Sequence, residues 1–303
     1  MVGRESILKS SNRNIIHGEK HHWWPKSLSK HWVNDQGSVH RIDCYGKIIK
    51  SNPKQFGLIS DGHNILFRNG SVWNSTIEGH FDRPDNAMPQ IVDMLKNLRS
   101  KDDGERFIDV EKDTDELNLL RECLLSLLVR APLYRFYIES MLSGFRGQIG
   151  KQETKRLISL NMNQKYDSLI KSSRNSGRLV VLFSDENEFI YGDGIYSTLS
   201  STTEKLTSFK AVVPITPKIA VIWSIPTVYT PYPKLSAKLI DNKVVSVVND
   251  ATQIYSKEYL FYCNQQPALS NDFKCNEHQM YEYHDGPITD LIRELVPEKK
   301  FFW

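Results

Sequence analysis

At 303 residues, with 40% hydrophobic and 25% charged residues, the chain has ordinary globular proportions and length enough to bury a sizeable core, which excludes a disordered tail protein or a disulfide-stapled miniprotein. Thirty-nine Lys and Arg against 36 Asp and Glu leave a formal charge of +3, too small for the long-range field behind non-specific nucleic-acid binding, although a local basic patch stays compatible with it. The opening residues lack an apolar core with a small-residue cleavage site, and no stretch approaches the roughly 18 uninterrupted apolar residues of a membrane span, so a cytoplasmic protein with no membrane partner is expected.

Cys44, Cys123, Cys263 and Cys275 lie far apart with no C-x-x-C pair, as reduced cytosolic thiols do. The Asn74-Ser75-Thr76 sequon then has no use, because glycosylation needs the secretory route.

Along the chain, residues 20–70 mix short apolar stretches with turn punctuation at Tyr45-Gly46, Asn52-Pro53 and Asp61-Gly62, which predicts short strands around one early helical turn. Residues 1–86 form this N-terminal β-rich segment. From 87 to 175 the pattern is helical. Asp113 is a good N-cap with Glu116 at the capping-box position, and Leu117, Leu120, Leu124, Leu127 and Leu128 recur at core spacing. Pro132 predicts a helix end just after Arg130, since proline removes an amide donor and crowds the preceding turn. Ser176-Gly177 is the next boundary. Beyond it, RLVVLFS, EFIYG, FKAVVPI and KIAVIWS are rich in β-branched and aromatic residues and are expected as strands of one sheet. Residues 239–256 return to helical spacing, YLFYC follows as a closing strand, and ITDLIREL predicts a short final helix. The expectation is an α+β protein in which the β-rich segment 1–86, a helical layer 87–175 and a mixed sheet with helices over 176–303 pack as one compact unit.

Four segments, in this order, resemble the bacterial family catalogued as domain of unknown function 4238: HHWWPKSLSKHWVNDQGSVHRIDCYGKI, LLSLLVRAPLYR, EFIYGDGIYS and VVPITPKIAVIW. Together they cover roughly residues 20–265, and the ordered set is more specific than any one piece. In the third segment Gly192 stands where the family has serine and Ile195 where it has proline, which leaves Asp193 as the retained polar residue. The family carries no activity to transfer, so the resemblance implies positions and order rather than a mechanism.

His21 and His22 precede Trp23, Trp24 and Pro25, where proline fixes the backbone and the indoles exclude water. An imidazole so placed can serve as general base or metal ligand, or it can simply bond neighbouring backbone. Histidine-histidine-x-x-proline is also similar to the first motif of His-Asn-His nucleases, which would make His22 a base beside a divalent metal and bring in Asn34, His40 or His63. The helical look of SLSKHW after Pro25 opposes this, because that core needs a hairpin there. Arg130 carries a permanent charge at a helix break, so its burial demands an anion. An ion pair with Asp193, at a strand end between Gly192 and Gly194, is the first expectation and bound phosphate the second. Cys263, Cys275, His278 and His284 have zinc-capable side chains, with Cys275-x-x-His278 at a usable spacing. Lys20, Lys26 and Lys30 interleave with Trp23, Trp24 and Trp32 as in single-strand stacking surfaces, though tryptophans near a proline fit a core better.

His40-Arg41-Ile42-Asp43 lacks the glycine-rich loop and strand lysine of a kinase, and Gly147–Lys151 lacks P-loop spacing. His21, His22, Arg130 and Asp193 are therefore expected to converge near the layer junction. They would form either the site of a hydrolase acting on nucleic acid or another phosphate-bearing substrate, as in a phage-defence effector, or a purely structural cluster in a non-catalytic sensor or scaffold with a protein partner.

Overall fold

The computed structural model describes residues 20–60, 62–65, 75–98, 108–146, 151–199, 208–225, 234–279 and 286–296. β1 (Lys20–His22) leads through Pro25 into α1 (Lys26–Ser29) and a 3-10 turn at Lys30–Trp32. β2 (Val39–Asp43) and β3 (Ile48–Ser51) form a hairpin whose turn is tied by the Asp43 carboxylate, which accepts the Tyr45 and Lys47 amides at 3.0 and 2.9 Å. β4 (Leu58–Ser60) returns to pair antiparallel with β1, and β5 (Asn64–Ile65) pairs with β6 (Ser75–Thr76).

A 3-10 turn, Glu78–Phe81, runs straight into α2 (Asp82–Asn97), five residues before the expected helical region. Asp82 and Asp85 place acid in the first turn, where the helix dipole favours it. Pro84 is harmless there, whereas Pro89 lacks the amide that would bond the Asp85 carbonyl one turn back. β7 (Ile108–Asp109) precedes α3 (Thr114–Arg130), capped by Asp113 as expected; every residue from Leu120 to Arg130 is buried, so α3 is the axis of the helical layer. It stops where predicted. Ala131 is extended, with ψ 138°, and α4 (Pro132–Arg146) starts at the proline. α5 (Lys151–Ser173) lies across α3 and ends with Asn175 in the left-handed conformation, φ 58°.

β8 (Arg178–Phe183), β9 (Tyr191–Gly192), β10 (Phe209–Thr216), β11 (Ile219–Ile225) and β12 (Leu235–Leu239) follow, then α6 (Asn242–Tyr255), β13 (Tyr259–Tyr262), α7 (Asn271–Lys274) and α8 (Pro287–Leu295). The architecture is α+β. The expectation of a single sheet for the late strands does not hold, however. The five-stranded sheet has the order β10-β11-β8-β12-β7, while β9 and β13 belong to a four-stranded sheet, β3-β2-β13-β9. β13 is apolar on both faces and finds cover on both. Phe261 packs on Trp24 and Phe56, while Leu260 and Tyr262 join Ile42 and Phe273. On one side it pairs with β2, from the other end of the chain, with Leu260 opposite Ile42, and on the other with β9, with Phe261 opposite Tyr191. Trp32 completes the union by donating its Nε1–H to the Ile215 carbonyl at 3.0 Å. Burial of each such aromatic contributes about 2–3 kcal/mol, which places much of the stability in this interlayer core.

Candidate functional site

β1, the turn at Gly62-His63, the 3-10 turn before α2, and the helices α2, α3 and α4 meet at one seam. His21 is buried there, and its Nδ1 accepts the His63 amide at 3.3 Å with the two rings 5.1 Å apart. His63 in turn bonds the Glu78 carboxylate through Nδ1. Burial pushes the His63 imidazole down to about 3 in spite of Glu78. Burial is also the largest influence on Glu78 and acts in the opposite sense, but the bond from His63 and the nearby positive charge, which includes Arg130, together hold that carboxyl below its usual range. The pair is therefore a neutral imidazole donating Nδ1–H to a carboxylate, rather than a salt bridge.

His22, the next residue of β1, also lies near this cluster, close enough for the charges of Glu78, Asp85 and Arg130 to act on it. It is half-buried, and its Nδ1 is sealed from solvent without a partner. Burial first, then the Lys26 ammonium, lowers its pKa, so it is neutral at pH 7 and able to accept a proton.

Arg130 is fully buried, and each of its three guanidinium nitrogens donates a bond. Nη1 and Nη2 donate to the two Asp85 oxygens at 3.0 and 2.6 Å, Nε donates to the Ser126 carbonyl at 3.1 Å, and Nη2 also reaches the Ser126 hydroxyl at 2.6 Å. The guanidinium lies 4.5 Å above the Phe81 ring. Its partner is thus Asp85, and the expected pair with Asp193 is corrected. Arg130 stands on the last turn of α3 and folds back along it toward the first turn of α2, whereas Asp193 is reached only past the helix break, by main chain. The Leu133 amide donates to the Asp193 carbonyl at 3.2 Å. The Asp193 carboxylate accepts the amides of Lys257, Glu258 and Tyr259 at 2.7, 2.9 and 3.2 Å, which clamps the turn between α6 and β13. Burial pushes this carboxyl up to about 6 against the pull of those three amides.

Besides Asp85, two seam residues escaped sequence reasoning. Glu78 carried no signal beyond its place before a helix. Arg135 closes the segment LLSLLVRAPLYR, and a second arginine so near a helix break was the available hint; it donates Nη2 to the Gly62 carbonyl. Asn34 caps the Gln36 and Ser38 amides, and His40 bonds the Cys263 carbonyl at 2.7 Å while stacking on Tyr262. Of the three further nuclease candidates, only His63 reaches the seam.

The expected zinc residues are engaged separately. Cys263 donates its thiol to the Val33 carbonyl at 3.3 Å, and burial raises that thiol to about 11, which keeps it protonated. Cys275 is exposed, His278 sits edge-on to Phe136 at 4.7 Å, and His284 lies outside the described residues. Among the described residues no group of three or more His, Cys, Asp or Glu is placed to hold a metal ion. Trp23, Trp24 and Trp32 are buried, with Trp24 stacked 4.9 Å from Tyr191, so the interleaved lysines border a core and not a stacking surface. An open cleft of about 400 Å³ between α2, α3 and α5 is lined by residues including Arg83, Gln90, Glu122 and Arg174; none of His21, His22, Arg130 or Asp193 lines it. Among the described residues no helix is long and apolar enough to cross a membrane. Comparison with protein-family models, with curated proteins and with solved structures finds no match.

Proposed function

We propose that the seam is a polar lock and that the protein acts as a non-catalytic sensor or scaffold, its membership of family 4238 resting on the four ordered segments. The observation that carries this reading is the Arg130–Asp85 pair: a guanidinium with 0% exposure, held bidentately, with its remaining bonds made inside its own helix. Together with His21, His63 and Glu78 it chains β1 to α2 and α3, so the buried polar groups are spent on one another. A group already paired in this way offers nothing to a substrate. Arg130→Met or Asp85→Asn alone should cost about 3 kcal/mol or more in urea unfolding, because each leaves a stranded partner. The double variant should cost less than the sum by about 2 kcal/mol. Additivity within about 0.5 kcal/mol would remove the lock.

A second reading, an intracellular hydrolase of nucleic acid or another phosphate ester serving phage defence, is favoured by the unpartnered His22 Nδ1 alone. With His22 as base, His22→Asn should fold normally and lose phosphodiester hydrolysis by about 100-fold or more, with or without added Mg²⁺ or Mn²⁺. Absence of hydrolysis by the unaltered protein under either condition removes this reading.

A further inference from the structure

At the seam, Arg135 and His22 each keep a sealed nitrogen without a partner, and of the two only Arg135 carries a permanent charge. Arg130 has a carboxylate, whereas the described bonds of Arg135 end at the Gly62 carbonyl, and its Nε is sealed from water with no acceptor. Its pKa is pushed down to about 10 by burial, and no anion among the described residues acts against that. The guanidinium remains charged at neutral pH even so, and a partly buried cation with no carboxylate bonded to it among the described residues is costly for a fold to keep.

The surroundings are built to hold it there. A side chain at Gly62 would place its Cβ 3.4 Å from Arg135 Nη2 and 3.0 Å from the Ile59 Cβ, so the bare turn is what admits the guanidinium. Ser159 on α5 brings its hydroxyl to the same carbonyl at 3.5 Å. The Glu78 carboxylate is engaged by His63, and the Asp85 carboxylate by Arg130.

We propose that Arg135 anchors an oxyanion site for a phosphate group between the Gly62 turn, α4 and α5, with the Ser159 hydroxyl as a second donor. A guanidinium fork gives directed N–H donors of the kind that phosphate oxygens accept, and a hydroxyl that lets go of a carbonyl can turn to the same ligand. The site requires no chemistry at His22. It extends the sensor reading by naming a ligand class, and because it rests on Arg135 its failure leaves the Arg130–Asp85 lock standing.

The full chain is titrated with inorganic phosphate, with a nucleoside monophosphate and with chloride at matched ionic strength, and thermal unfolding is followed. At a tenfold excess over the dissociation constant, phosphate should raise the midpoint by about 2–3 °C and chloride should not. A larger rise with the nucleotide assigns the phosphate to a nucleotide, and an equal one to the free ion. Arg135→Met should abolish the phosphate-specific rise. No such rise in the unaltered protein, or an equal rise in the variant, overturns the site. Should Arg135→Met fail to fold, the arginine Nε–H resonance of the ¹⁵N-labelled protein that is missing from Arg135→Lys must move on adding phosphate; a stationary resonance overturns the proposal equally.

Discussion

The Asp193 carboxyl holds its proton more tightly in the folded chain than in the unfolded one, because burial and the neighbouring Glu258 charge outweigh three amide donors. The sign of its effect on stability follows. Its contribution is complete below the ordinary carboxylate range and is lost as the pH rises through about 6. The loss by pH 8 is on the order of 3 kcal/mol, from a difference of about two pH units. Urea midpoints should accordingly rise from pH 8 to pH 5, and Asp193→Asn should flatten that slope; an unchanged slope in the variant assigns the dependence to other groups. The need of Arg130 for an anion was legible in the sequence, since a permanent charge at an apolar helix break demands one. Which anion was not, because Asp85 stands 45 residues away among ordinary first-turn acids. Asp193 was legible as a strand-end carboxylate between glycines. Its partners were hidden because main-chain amides have no residue type.

Helices were more legible than strands. The α3 break at Ala131 followed from proline chemistry and local spacing, whereas the pairing of β13 with β2 depends on shape across the whole chain. β9 shows how tightly such a long-range join is made. A Cβ on Gly194 would lie 1.7 Å from the Tyr255 carbonyl oxygen, which is main chain and has nowhere to go. On Gly192 it would lie 1.9 Å from the Ser256 hydroxyl, which can rotate away at the expense of its 2.6 Å bond to the Thr252 carbonyl, and 2.9 Å from the Gly194 carbonyl oxygen, a far milder main-chain approach. Gly194→Ala should therefore lower stability by about 3 kcal/mol or more, and Gly192→Ala by roughly 1 kcal/mol, as measured by paired thermal melts. Equal losses would mean that the two close approaches are not distinct.

Over the whole molecule, the three-segment layout read from the sequence captured composition along the chain but missed its interleaving. The first β-hairpin and the last strand share one sheet, and the ring of Trp24 rests on Tyr191 and Phe261. This fixes an order of events during synthesis. The indoles of Trp23, Trp24 and Trp32 emerge early, yet their contacts with Tyr191 and Phe261 wait for far later parts of the polypeptide, and the bond from His40 waits for a carbonyl 223 residues further on. A ribosome therefore carries a nascent chain whose tryptophans stay partly unsheathed until β13 has been made, an invitation to chaperones that the folded chain no longer extends.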